Sequence, residues 1–134
     1  MKVNELRIGN WVKCKTNDGC KFGKICDILD LGYFAARCNG VEYRGKFDNT
    51  GVDIESVEPI EITDELLEKC GYKKVDKHTF LQDGFISIYK DSITPKYYPY
   101  NYREDVVFGN EINGLHHLQN LCYALNGEEI KIDL

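Results

Sequence analysis

A chain of 134 residues, 43% hydrophobic and 29% charged, has the balance of one ordinary globular domain or of two small lobes sharing a core. A formal net charge of -5 opposes the phosphate backbone of DNA or RNA, which makes nucleic acid an unexpected partner. No run approaches the roughly eighteen apolar residues of a membrane span, and residues 1–11 lack the apolar core of a signal peptide, so a cytoplasmic protein is expected.

From Leu6 to about Ile60 short strands follow one another. Residues 6–15, LRIGNWVKCK, predict a first strand with Ile8, Val12 and Cys14 on one face and Trp11 on the other. Asn17-Asp18-Gly19 has turn chemistry. FGKICDILDL is dense enough in Ile25, Cys26, Ile28, Leu29 and Leu31 for a strand covered on both sides. Asn39-Gly40 is the strongest hairpin signal in the chain, because both residues tolerate the positive φ of a type I′ turn. It separates strands over Tyr33–Cys38 and residues 41–47, where Val41, Tyr43 and Phe47 alternate with Glu42, Arg44 and Lys46. Residues 52–57 complete five strands in about fifty residues, the pattern of a small barrel.

Thr63 then caps a helix over residues 64–70, Asp64 and Glu65 suit the positive end of its dipole, and Gly71 stops it. Residues 72–75, 78–82 and 85–89 predict three strands, the last two joined at Asp83-Gly84. DSITPKYYPYNYR, residues 91–103, is broken by Pro95 and Pro99 and predicts a long loop. Residues 106–108 return to strand. Over residues 115–125, LHHLQNLCYAL, the spacing of Leu115, Leu118, Leu121, Cys122 and Leu125 lines one side of a helix that has to lie on a sheet. Asn113 is placed to cap it and Asn126-Gly127 to end it, and residues 128–134 alternate as a terminal strand.

Gly9-Asn10-Trp11-Val12, followed by Gly23-Lys24-Ile25, resembles the first two strands of SH3-like barrels of the Tudor and KOW type. The fold expected is therefore α+β: a small SH3-like antiparallel barrel over residues 1–60, then a strand-rich lobe with two helices over residues 61–134. NELRIGNWV at residues 4–12, EPIEITDELLEKCGY at 58–72 and HLQNLCYALNGEEI at 117–130 together resemble a group of small proteins from Bacteroidota and their phages and mobile elements. That resemblance implies a bacterial host cell and an accessory role on a mobile element. The group has no established activity, so no catalytic or binding residue carries over.

The tyrosines are the most unusual feature. Tyr97, Tyr98, Tyr100 and Tyr102 fall within six residues, with Lys96 and Arg103 at the edges. Rings interleaved with cations suit stacking on a nucleotide-like ligand, with Lys96, Arg103 or Arg44 meeting its phosphate or carboxylate. The competing reading is a proline-kinked loop packed over the sheet with alternate tyrosines half buried. Trp11, the only tryptophan, either fills a seam between barrel and lobe or marks a partner-binding surface.

Catalysis has weaker signals. His116 and His117 are about 100° apart around a helix, so they cannot both face one site; His117 is expected near the apolar stripe and His116 toward solvent. No nucleophile elbow, phosphate-cradling glycine loop or metalloprotease helix motif occurs, and Ser56, Ser87 and Ser92 have no base adjacent in sequence. The six cysteines contain no Cys-x-x-Cys pair and are expected to be reduced, mostly buried thiols without a metal. Residues 48–53 faintly match a calcium loop but lack its twelfth-position Glu, while Asp53, Glu55 and Glu58, like Glu128 and Glu129, suit a solvated face. The expectation is a non-catalytic binding protein without a cofactor, contacting a host or phage protein. The alternative is a phage anti-defence protein that sequesters a small nucleotide-like signal.

Overall fold

The computed structural model describes residues 5–28, 33–46 and 54–134 of an α+β protein. Two compact units divide the chain: Met1–Ile60 with Gly114–His116, and Glu61–Asn113 with His117–Leu134.

In the first unit, β1 (Trp11–Thr16), β2 (Gly19–Ile28), β3 (Tyr33–Cys38) and β4 (Val41–Lys46) form an antiparallel meander, and β5 (Ile54–Glu58) returns to the free side of β1. β4 and β5 meet at one parallel bridge, Gly45 with Ile54, so the ring ends in a seam rather than a full ladder. Asn39 at φ 50° and Gly40 at φ 81° make the expected tight hairpin. Val12, Cys14, Ile25, Phe34, Ala36 and Cys38 point inward and are buried together with Leu6. Small residues let the strands curl this tightly: a Cβ on Gly23 would stand 2.7 Å from Cys38 Sγ and 3.2 Å from Cys14 Sγ.

Two expectations fail here. The first strand starts at Trp11, because Asn10 folds its side chain back to accept from the Arg7 N–H at 2.8 Å while Gly9 turns the chain at φ 97°. Ile8 consequently leaves the core face and is 56% exposed. β2 is covered on one side only: Gly23 and Ile25 are buried, while Phe22 and Lys24 face outward. Leu29, Leu31, Phe47 and residues 48–53 lie outside the described residues.

The second unit begins with α1 (Asp64–Lys69), where Thr63 Oγ1 accepts from the Leu66 N–H at 3.1 Å and Gly71 leaves the helix at φ 94°. β6 (Lys73–Lys74), β7 (Thr79–Leu81), β8 (Ser87–Lys90), β9 (Tyr97–Asn101) and β10 (Val106–Val107) form one antiparallel sheet in the order β10-β9-β8-β7-β6. Phe80, Ile88 and Pro99 lie side by side across three strands on its buried face, with Leu66, Leu67, Cys70 and Tyr72 also buried in this unit.

The segment expected as a loop over residues 91–103 is therefore largely strand. Pro99 sits in it at little cost: it faces Ile88 on the β8 side, and its carbonyl accepts from Phe108 N–H on the β10 side at 3.0 Å. The missing N–H thus falls where the short edge strand is already ending.

α2 (Leu115–Asn126) forms as expected, with Gly127 at φ 70° closing it. Its stripe is shorter than the spacing suggested. Leu115, Leu118 and Cys122 are fully buried, Leu121 is half-buried and Leu125 is 53% exposed. The histidines reverse: His116 is 4% exposed, whereas the half-buried His117 uses Nδ1 to accept from the Asn113 N–H at 3.0 Å. Residues 128–134 form no strand. Ile130 is buried, and Asp133 N–H donates to the Lys69 carbonyl at 3.2 Å, so the tail is fastened to a helix end. Among the described residues, no helix is long and apolar enough to cross a membrane.

Candidate binding face on the five-stranded sheet

Alternation along β9 separates the tyrosines. Tyr97 points to the buried face with Pro99 and is 6% exposed. Tyr98 and Tyr100 point to the opposite face, where Tyr98 is half-buried and Tyr100 is only 8% exposed, and the exposed Tyr102 continues on that side just past the strand end.

On the buried face Tyr97 OH donates to Asp64 Oδ1 at 2.5 Å. Lys90 reaches the same oxygen at 3.0 Å and Lys74 reaches Oδ2 at 3.2 Å. Burial alone pushes the Asp64 carboxyl up, but the Tyr97 hydroxyl and the two ammonium groups outweigh it and hold the group at about 2. Burial, then the Asp64 carboxylate, pushes the Tyr97 hydroxyl well above its ordinary value. This cluster ties the start of α1 to β6, β8 and β9 and is a structural pin.

The outward face carries a row of rings. His78 stacks on Tyr89 at 5.6 Å between centroids, and Tyr89 lies directly across from Tyr98 and 5.4 Å from Tyr100. Tyr100 OH donates to Asp105 Oδ1, and that bond, followed by burial, raises the hydroxyl to about 12. The face opens into a shallow cleft of about 430 Å³ walled by Phe85, Ser87, Tyr100, Tyr102, Arg103 and Phe108. A second hollow of about 320 Å³, lined by Gly71, Lys73 and Val75, shares Leu81, Gln82 and Asp83 with it.

Of the ligand residues expected from sequence, Tyr100, Tyr102 and Arg103 come together in the cleft. Tyr98 lies beside them on the outer face, but Tyr97 is on the wrong side of the sheet. Lys96 is turned to Glu111 at 3.6 Å, and Arg44 belongs to β4 in the other unit. Trp11 is half-buried on the outward side of β1, opposite Lys24 of β2. His78, Tyr89, Phe85 and Phe108 escaped the sequence reading; once β8 and β9 are paired, period-two counting from Ile88 places Tyr89 and Ser87 on the tyrosine side.

Four cysteines, Cys14, Cys38, Cys70 and Cys122, are buried; Cys26 is half-buried and Cys20 exposed. Burial pushes Cys14 and Cys70 up to about 12 and Cys122 to about 11, the opposite of an activated nucleophile. Cys122 Sγ lies 3.7 Å from Tyr72 OH, which donates to the Ile86 carbonyl at 2.8 Å. Among the described residues no group of three His, Cys, Asp or Glu is gathered to hold a metal ion. Comparison of the chain with protein-family models, curated proteins and solved structures gave no match.

Proposed function

We propose that the chain is a non-catalytic binding protein, accessory or regulatory in role, that engages a protein partner through the tyrosine face of the five-stranded sheet. The observation that carries this reading is the placement of Tyr98, Tyr100 and Tyr102 on one side of β9, where Tyr100 and Tyr102 wall an open cleft edged by Phe85 and Phe108. Tyrosine offers a wide apolar ring and a hydroxyl for only two rotatable angles, so a fixed row of them makes an economical protein-binding surface.

The charges favour a protein partner over a phosphorylated small ligand. Among the described residues Arg103 is the one cation lining the cleft of about 430 Å³ and shares its wall with Asp83, while Lys96 is held by Glu111. Residues 61–134 carry thirteen acidic against eight basic side chains, which suits a partner with a basic contact surface.

The test is affinity capture from the native host with the tagged full chain, quantified against Tyr98→Ala and Tyr102→Ala variants. A protein retained by the wild type and lost from both variants supports the reading. An identical set of proteins on all three refutes it. A raised melting temperature with one member of a nucleotide panel, abolished by Tyr102→Ala, would move the assignment to ligand sequestration.

A further inference from the structure

The net charge of -5 is an average over two dissimilar stretches. Residues 61–134 hold all of the excess, and residues 1–60 carry nine acidic and nine basic side chains. Within the barrel the balance is uneven again, and strand register shows how. Trp11 of β1 lies opposite Lys24 of β2, and Lys24 lies opposite Arg37 of β3. Two residues along, Lys13 lies opposite Phe22, and Lys15 lies opposite Cys20. All of these alternate with inward residues such as Val12, Cys14, Gly23 and Cys38, so they share the outer face.

That face has three properties. Lys13, Lys15, Lys24 and Arg37 make no ion pair among the described residues, although Glu58 lies directly opposite Lys13 and Glu42 directly opposite Arg37. Lys24 and Arg37 are like charges directly across a ladder, an arrangement that destabilises a sheet. Phe22 is 49% exposed and sits diagonally from the half-buried Trp11, a separation of roughly 7–8 Å in such a register. Two rings therefore stand among four cations, of which Lys13 and Arg37 each have a carboxylate directly opposite and Lys15 and Lys24 have none among the described residues.

We propose that the outer face of β1, β2 and β3 binds single-stranded nucleic acid, with Trp11 and Phe22 stacking on bases and Lys13, Lys15, Lys24 and Arg37 meeting phosphates. Rings accept the flat face of any base, and cations track the backbone between them. An acidic protein would use the cations but leave the exposed ring of Phe22 without a role. The acidic second stretch does not veto the site, because at about 0.1 M salt charges are screened over about 10 Å and a strand responds to the local field.

Trp11 is the chain's single tryptophan, so its fluorescence reports on this face alone. The experiment is titration of the intact 134-residue chain with fluorescein-labelled oligothymidylate of about twelve nucleotides, within the range one small barrel covers. Anisotropy and Trp11 emission are read together at several salt concentrations. Binding should quench Trp11, weaken with salt at a log–log slope of about -2 to -3, and fall at least tenfold in the Lys24→Glu/Arg37→Glu variant. Phe22→Ala, a change at an exposed ring, should weaken binding several-fold while the melting temperature stays put. No quenching and no anisotropy change up to about 100 µM of wild-type protein would overturn the proposal, being weaker than the usual range of even non-specific binding. So would equal affinity for duplex of the same length, or displacement of the oligonucleotide by polyglutamate at equal charge concentration.

Discussion

The two sheets of this protein reach stability by opposite means. The barrel fills its interior with small and sulfur-bearing side chains around Phe34, and Gly23 leaves the space that Cys14 and Cys38 occupy. The five-stranded sheet instead sets large residues, Phe80 and Ile88, side by side and pins one margin with a carboxylate shared by two lysines and a tyrosine. Their outer faces differ in chemistry too, with four cations and two rings on the barrel but tyrosines beside Asp83, Arg103 and Asp105 on the sheet. A tightly curled sheet is limited by interior volume, whereas an open one has margins that polar groups must close.

Truncating the largest ring of each core tests whether both carry comparable weight. Phe34→Ala and Phe80→Ala should each cost about 3–5 kcal/mol in urea denaturation, because both rings are fully buried. Gly23→Ala separates the two designs more finely. The new methyl meets Cys38 Sγ, so a loss of about 1–3 kcal/mol is expected, and adding Cys38→Ala should recover part of it in a double-mutant cycle. On the other sheet the corresponding probe is charge. Asp64 is held at about 2, against about 3.9 in an unfolded chain, so its contribution is fully present above the unfolded value and disappears as pH falls from about 4 toward 2. Asp64→Asn should remove about 1–2 kcal/mol at neutral pH and flatten that acid limb in denaturation curves at stepped pH. The smallest effect belongs to the proposed recognition surface: Tyr102→Ala, at an exposed ring, should change stability by no more than about 0.5 kcal/mol while abolishing partner capture.

What the chain reveals without coordinates is local. Asn39-Gly40 makes its hairpin, Thr63 caps α1, and Gly71 and Gly127 end their helices, because each depends on a few neighbouring dihedrals and hydrogen bonds. Tyr100, Tyr102 and Arg103 were legible as a group for the same reason, being neighbours in sequence that stay neighbours in space. Pairing was not legible. Pro99 read as a loop breaker because nothing local shows that its missing N–H falls beside a strand already ending. Ile130 and Ile132 read as a strand because alternation reports which side chains seek burial and is silent on whether a sheet edge is available. Net charge is silent in a related way, since a sum over residues carries no positions.

Sequence by itself determined the α+β composition, the turns, the caps and the presence of a tyrosine cluster, all set by interactions within a few residues. Only the tertiary structure decided that Tyr97 lies on one side of the sheet while Tyr98, the buried Tyr100 and the exposed Tyr102 lie on the other, and that Trp11, Lys24 and Arg37 stand in one row. Side-chain direction in a strand alternates with a period of two, so a shift of one residue in the pairing would exchange every one of those roles.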